Sequence, residues 1–447
     1  MIILTLAILI AVAYLVYKIS DTHTRRKTLP PGPKPLSLIG NLHQHIKSEQ
    51  WLLYDKWHKQ YGPVITVKMG IRTVIFLNTH KAITDFLVKQ GRTYCSPPKL
   101  HFIGDCMIRG SVPILLPQSK ERRDVHRLFK SLLASKACRA YAPLQERESP
   151  RFILVLSVPD SLIPSPFNPW ERAGATFHRR FTEFWKRRMQ RGLDNPNWNW
   201  TRLVNDNKPQ SLSTDELLYW IIELEFASIA STTVLIRSFM ATAVANPDVT
   251  QQVRGEIDVV VGCKRLPTTD DQDKLPLLGA FIHELMRWRG TPPLSMPYQG
   301  QENVDYNGYR IPSNALVIAN QWSLNMGPEV YQHPERFQPQ RWLANPKLQK
   351  PFLFGHGRRV CPGEEFARNS LFITFAQILW AFDIVPASPT FGQSKVPGLS
   401  MGANEGTDEL TFSLRDAGRL AVLECASRAL THDKDLLDNA APAAAVV

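Results

Sequence analysis

The chain has 447 residues, of which 44% are hydrophobic and 21% charged, a composition that excludes the disordered and fibrous classes of protein. Its 53 basic and 40 acidic residues leave a formal net charge of +13, which suits an acidic protein partner or an anionic membrane surface. Nucleic acid is disfavoured as a partner because the sequence holds no dense basic run and no zinc-finger spacing. The six cysteines form no CxxC pair and are too scattered for a disulfide framework, which favours a reducing compartment.

The N-terminal run predicts a single membrane anchor over residues 1–18. Residues 1–17 carry no charged side chain, and Lys18 can reach the membrane interface. A basic cluster follows, which keeps that side of the membrane cytosolic: Lys18, Arg25, Arg26 and Lys27. A cleaved signal peptide is the alternative, but no positive charge precedes the apolar run and no small-x-small site follows it. The basic and proline-rich residues 19–41 predict a stiff hinge.

Residues 42–432 predict one large, mainly helical domain with a few short strands. Alternating β-rich residues at 61–78 predict two strands around a turn at Gly70, and Asn307-Gly308 predicts a hairpin turn within 303–320. Residues 80–90 look helical, and apolar residues at helical spacing predict five longer helices: 122–135, 215–246, 248–261, 275–289 and 362–382. Residues 147–168 fit no clear helix, and the low-complexity residues 433–447 predict a disordered tail.

A cysteine-centred loop, FLFGHGRRVCPGEEFA at 352–367, carries the strongest chemical signal. Cys361 precedes Pro-Gly-Glu-Glu at 362–365, a helix start that is expected to lower the pKa of the thiol. The glycines allow close approach of backbone, and Arg358 and Arg359 offer forked donors for a carboxylate. These features together describe a haem-thiolate site. The alternatives are a buried core thiol, a nucleophile without an obvious partner histidine, and a zinc ligand without a second ligand at suitable spacing.

The run Phe354-x-x-Gly357-x-Arg359-x-Cys361-x-Gly363 resembles the haem-binding signature of the cytochrome P450 family, and it matches at every fixed position. The resemblance implies a mainly α fold with small β-sheets and haem b as the cofactor. It also implies that Cys361 is the axial thiolate ligand of the iron, that Arg359 meets a haem propionate and that Phe354 packs near the sulfur. Gly363 completes the set of expected cofactor-binding residues.

Two segments upstream of the cysteine strengthen the resemblance. Glu284-x-x-Arg287 is similar to the Glu-x-x-Arg pair of the family, although the same spacing is common on helix surfaces. The segment HPERFQPQRWL supplies a second arginine, Arg341, and has Gln340 where the family commonly has glutamate. The resemblance implies that Glu284, Arg287 and Arg341 form a buried charge network.

The segment expected on the oxygen side of the haem departs from the family. It reads Ser-Ile-Ala-Ser-Thr-Thr at 228–233, where the family has small-Gly-x-acid-Thr-Thr. Thr232 is retained and is the candidate for bonding oxygen and delivering protons, with Ser231 in place of the acid. Ile229 replaces the glycine and is expected to crowd the groove above the iron. An ordinary helix that contains Thr-Thr is the alternative.

The residues expected to bind the propionates also differ. Where the family often has Trp-x-x-x-Arg, this chain has Arg122 and His126. Arg123 or Arg127 is a possible substitute, and a merely solvated basic face is the alternative. Tyr298 stands where a propionate-binding histidine is common. The stretch 136–171 is shorter than the family pattern, which predicts that two helices are missing or replaced, either by evolution or through a lost exon.

The resemblance implies a monooxygenase of the endoplasmic reticulum membrane with its catalytic domain in the cytosol. It would insert one atom of O₂ into a small apolar molecule, in the style of fungal secondary metabolism, with electrons from NADPH-cytochrome P450 reductase. A basic face could dock that partner or simply solubilise the protein: Arg123, Arg127, Lys130 and Arg358. Two alternatives follow from the departures: an enzyme that uses peroxide or rearranges its substrate, and a degenerate haem protein without catalysis.

Overall fold

The computed structural model describes eleven stretches of the chain: residues 28–36, 39–44, 50–70, 72–98, 112–116, 119–133, 170–196, 199–210, 212–290, 292–386 and 410–429. The predicted anchor 1–18, part of the hinge 19–41, nearly all of the shortened region 136–171 and the tail 433–447 lie outside the described residues. The chain separates into two compact units. The first contains Met1–Pro98, Pro293–Gly327 and Gly355–Val360, and the second contains Lys99–Pro292, Pro328–Phe354 and Cys361–Val447.

The first unit contains the strands numbered β1 to β6. They are β1 Val64–Met69, β2 Arg72–Leu77, β3 Tyr298–Gln299, β4 Val304–Tyr306, β5 Tyr309–Ile311 and β6 Leu316–Ala319. The larger sheet has the order β1-β2-β6-β3, with β2 and β6 parallel and the other pairs antiparallel. The predicted strands around Gly70 are confirmed. The predicted hairpin is also confirmed as β4–β5, with both turn residues at positive φ, 50° for Asn307 and 80° for Gly308.

The helices of the first unit pack around that sheet. They are α1 Gln50–Tyr61, α2 His80–Ile83 and α9 Gln321–Asn325. Tyr54 of α1 stacks on Phe76 of β2 with ring centroids 3.9 Å apart, which places an aromatic pair in the core of this unit. The predicted helix over 80–90 is confirmed, but α2 continues directly as a π-helix, Thr84–Lys89, a rare conformation that is frequent at functional sites.

The second unit is mostly helical. Its helices are α3 Lys120–Leu132, α4 Trp170–Asp194, α5 Trp200–Asp206, α6 Thr214–Ala245, α7 Pro247–Val260, α8 Pro276–Trp288, α10 Gln340–Ala344, α11 Glu364–Ala381 and α12 Ala417–Ala429. The five longer helices predicted from spacing are confirmed as α3, α6, α7, α8 and α11. Strands β7 Phe382–Pro386 and β8 Leu410–Leu414 form an antiparallel pair, which the sequence analysis did not predict.

The long helix α6 runs through the core of the second unit. It begins with a reciprocal capping box, in which Ser213 and Glu216 bond each other's backbone N–H groups. Near its C-terminal end, Phe239 stacks on Phe375 of α11 with ring centroids 3.7 Å apart. Among the described residues, α6 is the helix long and apolar enough to cross a membrane, with a mean hydropathy of 1.3 over 18 residues. Both of its ends lie in hydrophobic clusters, the C-terminal end with α8 and α11 and the N-terminal end with α3, α4 and α5.

Candidate functional site

Cys361 is positioned by backbone hydrogen bonds at the approach to α11. Its N–H donates to the carbonyl oxygen of Phe354 at 2.7 Å, and the N–H of Gly363 hydrogen-bonds its sulfur. The residue is exposed. A side chain at Gly363 would meet Sγ of Cys361 at 3.9 Å and Leu133 Cδ1 at 3.6 Å, which are ordinary contacts. Within the described residues, the contribution of Gly363 to the site is therefore its N–H and not its small size.

The thiol of Cys361 does not ionise more easily in the protein itself. Burial of the sulfur raises the pKa of the Cys361 thiol, the N–H of Gly363 lowers it, and the charge of Glu364 raises it further. The net direction is upward, so the prediction that the helix start lowers this pKa is wrong. Because a metal cation deprotonates a thiol that coordinates it, a thiolate at Cys361 depends on the ion that it binds.

The signature residues 355–360 lie in the first unit and form a tight turn there. Gly357 begins the 3₁₀ turn Gly357–Arg359 with a φ of 55°. A Cβ atom on Gly357 would lie 2.0 Å from the carbonyl oxygen of Leu87, so only glycine fits against the π-helix Thr84–Lys89. Arg359 is half-buried and donates through Nε to the carbonyl oxygen of Cys95 at 2.6 Å. The turn is thus held in place by the contact of Gly357 with Leu87 and by the hydrogen bond of Arg359 to Cys95.

The structure brings Glu284, Arg287 and Arg341 together in the second unit. The side chains of Glu284 and Arg287 are 0% exposed. Arg287 donates to both carboxylate oxygens of Glu284, at 2.7 Å and 3.0 Å, and Arg341 donates to Oε1 at 3.2 Å. The backbone N–H of Gln338 and Nε1 of Trp342 complete the set, each at 2.9 Å. The carboxylate accepts five hydrogen bonds, two of them from groups that the sequence analysis missed.

The guanidinium of Arg287 is equally well satisfied. Its Nη1 donates to the carbonyl oxygen of Pro334 at 2.8 Å, and its Nη2 donates to that of Arg336 at 3.1 Å. Its carbon lies 5.3 Å from the ring centroid of Tyr331, which is within cation–π range. These contacts compensate the large cost of removing two charges from water.

A second polar chain connects this cluster to the start of α11. The ring of His283 lies 5.4 Å from that of Trp342, and its Nε2 is 3.3 Å from Nη1 of Arg368. Arg368 in turn donates to Glu364 at 2.8 Å and lies over the ring of Phe354 at 5.0 Å. The sequence analysis did not single out His283 or Arg368. Their positions next to Glu284 and one turn after Glu364 are the signals that could have identified them.

The centre of α6 is open and has no break in its helix. Ser231 is half-buried, and its hydroxyl donates to the carbonyl oxygen of Ala227 at 2.7 Å. Thr232 is half-buried as well, and its hydroxyl makes no hydrogen bond to any residue that the structure describes. Phe226 and Ile229 are 59% and 58% exposed. Ser231 is therefore occupied by backbone, while Thr232 has a hydroxyl available to a ligand or to water.

The candidate propionate donors differ in their exposure. Arg123 and Arg127 are exposed on α3, and Arg127 forms an ion pair with Asp124 at 3.5 Å. Their exposure agrees with the alternative of a solvated basic face. Arg122 is half-buried, and its Nε is a buried donor without an acceptor in the described part of the chain. Tyr298 is buried in the first unit.

No group of three or more His, Cys, Asp and Glu side chains is placed to hold a metal ion within the described residues. The zinc alternative therefore has no support there. Haem iron needs only one proximal ligand from the protein, so a haem site does not require such a group.

Comparison with known proteins identifies the family of the chain. A sequence profile described as Cytochrome P450 matches residues 30–159 and 172–406. Three fungal cytochrome P450 monooxygenases are similar to this chain. The first, aneD of Aspergillus aculeatus, is 30% identical over 80% of this chain and 82% of its own length. FrzL of Cladobotryum sp is 31% identical over 85% and 84%. PeniB of Penicillium patulum is 29% identical over 94% and 91%.

A solved zebrafish cytochrome P450, whose structure contains abiraterone, has a similar fold. It is 20% identical, with a TM-score of 0.65 over 82% of this chain and 100% of its own. The chain belongs to the cytochrome P450 family, whose members carry haem, and its mainly helical fold with small sheets is confirmed. The unpaired thiol of Cys361 and the buried Nε of Arg122, which lacks an acceptor among the described residues, fit such a cofactor, because one can bind iron and the other a carboxylate.

Proposed function

We propose that this protein is a membrane-anchored haem-thiolate monooxygenase that inserts one oxygen atom of O₂ into a small apolar molecule. The observation that carries the proposal is the arrangement at Cys361, a free cysteine held by Phe354 and Gly363 in a chain of the cytochrome P450 family. Haem, when bound, supplies the oxygen-activating chemistry. Cys361 would hold its iron, Arg359 would meet a propionate, and Phe354 would pack near the sulfur.

The buried cluster of Glu284, Arg287 and Arg341 would keep the second unit in shape and take no part in the chemistry. Every donor contact to Glu284 comes from α8, α10 or the residues just before α10. Arg368, over the ring of Phe354, links the start of α11 to the neighbour of Glu284 on α8. We infer that this support fixes Phe354 and hence the backbone that positions Cys361.

Thr232 is the residue on this chain that would handle protons. Insertion of one oxygen atom leaves the other to become water, so the reaction consumes two protons. The hydroxyl of Thr232 can accept and donate a hydrogen bond at its oxygen, whereas that of Ser231 is committed to Ala227. We expect Thr232→Val to divert electrons from product to peroxide or water, and Ser231→Ala to leave the ratio of product to NADPH unchanged. The assay is the yield of product per NADPH; equal losses in both variants would contradict this division of roles.

The electron donor would be NADPH-cytochrome P450 reductase, an acidic partner for a basic protein. In the second unit, Arg123, Arg127 and Lys130 are exposed on α3, and in the first unit Arg358 is exposed. The proposed site of action is the endoplasmic reticulum membrane, with the body in the cytosol, on the strength of the apolar residues 1–18. The fungal relatives favour a substrate from secondary metabolism.

The test is the reduced, carbon-monoxide-bound difference spectrum of the full chain. A thiolate-type Soret band that disappears in Cys361→Ser supports the proposal, with Cys263→Ser as the control because Cys263 is also exposed. No haem signal in the parent protein would overturn it and favour a degenerate haem protein.

A second candidate keeps the haem but not the reductase. The uninterrupted helix of α6, the projecting Ile229 and the occupied hydroxyl of Ser231 favour an enzyme that uses peroxide or rearranges an oxygenated substrate. Turnover by the purified protein with hydrogen peroxide alone, and none with NADPH and reductase, would select this candidate.

A further inference from the structure

A surface pocket of the first unit carries more positive than negative charge in its lining. Its volume is about 420 Å³, which lies within the range of roughly 300–1,000 Å³ that is usual for small-molecule sites. The end of the π-helix Thr84–Lys89, the turn after it and the start of β4 form its walls. The lining includes the cations Lys89, Arg92 and Arg358 and the carboxylate of Glu302, and all four residues are exposed.

Two of these cations have no partner in the part of the chain that the structure describes. Lys89 already donates to the carboxylate of Asp85 at 2.7 Å. The guanidinium groups of Arg92 and Arg358 form no hydrogen bond or ion pair with any described residue, although Glu302 lines the same pocket. Because each guanidinium has five N–H donors in a fixed plane, the pocket offers two complete forks to a ligand.

The backbone brings the two arginines to the same wall of the pocket. Each follows a glycine that lies against one carbonyl group, that of Leu87. A Cβ atom on Gly91 would lie 2.9 Å from this oxygen, and one on Gly357 would lie 2.0 Å from it. The Cβ of Gly91 would also lie 3.8 Å from Cγ of Arg358, so the stem of Arg358 passes over Gly91. Glycine at both positions therefore sets Arg92 beside Arg358 at the π-helix.

We propose that this pocket binds the phosphate monoester of a polyol, either a soluble sugar phosphate or the headgroup of a phosphoinositide lipid. One guanidinium fork satisfies a carboxylate, whereas a phosphate has three terminal oxygens and can accept from two forks at once. A phosphate monoester carries a charge of roughly −1.5 to −2 at pH 7, which matches the two free cations, Arg92 and Arg358. The inference goes beyond the proposed function, and the binding requires no haem.

Glu302 accounts for the polyol part of the ligand. Its Oε1 accepts the hydroxyl of Thr93 at 2.9 Å, which leaves Oε2 available to a ligand. A carboxylate repels a phosphate but accepts hydrogen bonds from hydroxyl groups. The pocket also has room for more than a phosphate ion, since one water molecule occupies only about 30 Å³ in the liquid.

The experiment titrates the full chain in phosphatidylcholine nanodiscs with glucose 6-phosphate, inorganic phosphate or glucose, and calorimetry measures the binding. The pocket variants are Arg92→Gln, Arg358→Gln and Glu302→Ala. The control is Arg72→Gln, because Arg72 is exposed on β2 of the same unit and does not line the pocket. Its replacement removes a positive charge of the same kind from another part of the surface.

We expect the parent to bind glucose 6-phosphate more tightly than inorganic phosphate and not to bind glucose. Arg92→Gln and Arg358→Gln should each weaken the binding of glucose 6-phosphate roughly 10- to 100-fold, the range expected for a charge-assisted hydrogen bond. Glu302→Ala should lose the preference for glucose 6-phosphate over inorganic phosphate. Arg72→Gln should bind like the parent to within about twofold. The thermal midpoint should stay the same in both arginine variants of the pocket, because neither guanidinium has a described partner to lose.

Nanodiscs that also contain phosphatidylinositol 4-phosphate distinguish the two sources of the phosphate. Weaker binding of glucose 6-phosphate in these nanodiscs would identify the lipid headgroup as the occupant, and unchanged binding would identify a soluble sugar phosphate.

Three results would overturn the inference. The parent could bind neither phosphate compound, or it could bind inorganic phosphate as tightly as glucose 6-phosphate, which would exclude the polyol. Equal weakening in Arg72→Gln and in the two arginine variants of the pocket would show that net charge and not the pocket is responsible. Because the titration needs no haem, loss of the carbon-monoxide band would overturn the proposed function and leave this inference intact.

Discussion

The cluster around Glu284 and the centre of α6 lie in the same unit, but they differ in how far their polar groups are buried and hydrogen-bonded. At Glu284, both charges are withdrawn from solvent, and each is matched by side-chain and backbone partners. At the centre of α6, Ser231 bonds its own helix, Thr232 keeps an available hydroxyl, and Ile229 projects into an open region. A closed polar cluster fixes a backbone, whereas an open helix face leaves room for a ligand.

The difference explains which departures from the family pattern the chain tolerates. Each partner of Glu284 constrains the others, so loss of one leaves a buried charge or donor without compensation. At Ile229 the neighbouring residues place little constraint on the side chain, because it is more than half exposed. The departures at Ile229 and Ser231 lie in the open region, whereas Glu284, Arg287 and Arg341 of the closed cluster match the family pattern.

Removal of the carboxylate at Glu284 should have the largest effect on stability. We expect Glu284→Gln to lower the free energy of unfolding by about 3–5 kcal/mol, because the buried charge of Arg287 would lose its counterion. Urea unfolding of the haem-loaded protein measures this change. Glu335→Gln is the matched control, since Glu335 forms only exposed ion pairs, with 66% of its side chain accessible. Equal effects of the two substitutions would erase the contrast between the buried cluster and the surface.

Loss of a single donor should cost less. Trp342→Phe keeps an aromatic ring beside Tyr331 and His283 but removes the Nε1–H that bonds Glu284 at 2.9 Å. We expect the free energy of unfolding to fall by about 2 kcal/mol. Trp288→Phe, which removes an exposed indole bond to the carbonyl of Glu335, is the comparison and should cost clearly less. A smaller effect at Trp342 than at Trp288 would show that the fifth hydrogen bond of Glu284 is dispensable.

Low pH should reduce the free energy of unfolding through His283, which contacts the same cluster. Burial lowers the pKa of His283, the Arg368 charge lowers it further, and the Gly279 carbonyl opposes both. Because the unfolded residue titrates near pH 6.5, the unfolded chain takes up the proton first. The stabilisation is therefore complete above pH 6.5 and is lost as the pH falls below it. We expect His283→Gln to reduce this loss of stability, measured by urea unfolding at pH values above and below the pKa of 6.5 of an unfolded histidine.

The neutral ring of His283 donates from Nδ1 to Gly279 and accepts from Arg368 at Nε2. Protonation would turn that acceptor toward a second cation. His333, which is exposed, provides the control substitution His333→Gln. An identical pH dependence in the parent and in His283→Gln would exclude His283 as the source.

The smallest effect on folding should come from the open face of α6. We expect Ile229→Ala to change the free energy of unfolding by no more than about 0.5 kcal/mol, because the side chain is mostly exposed and alanine favours helix. Ile236→Ala, seven residues on in the same helix, removes a side chain that is 6% exposed and should cost about 2–5 kcal/mol. A loss at Ile229 comparable to that at Ile236 would show that the centre of α6 is packed and not open.

Most of the fold was predictable, because apolar residues at regular spacing report burial directly. Helices α3, α6, α7, α8 and α11 and the β4–β5 turn at Asn307-Gly308 follow from local pattern. The partner of β2 did not: β6 pairs with it in parallel across more than two hundred residues of sequence, and only tertiary structure determines such pairing.

The site was predictable only where residues act through short, fixed spacing. Glu284 and Arg287 share one face of α8 and could be paired from the sequence, whereas Trp342 comes from another helix and was missed. The direction of the Cys361 pKa was predicted wrongly, because sequence shows the helix start but not the burial that outweighs it. The orientation of α3 likewise could not be predicted, and it decides that Arg123 and Arg127 are exposed while Nε of Arg122 is buried.

The close contact between Gly357 and the π-helix Thr84–Lys89 limits the sequence changes that both segments can tolerate. A π-helix holds an extra residue in its turn compared with an α-helix. Loss of one codon within Thr84–Lys89 would return the turn to α-helical winding and move the Leu87 carbonyl, against which Gly357 lies too closely for any side chain. A deletion within Thr84–Lys89 and a substitution at Gly357 would thus both disturb the same turn. The two segments should therefore change together, and a chimaera that combines them from different relatives should fold poorly.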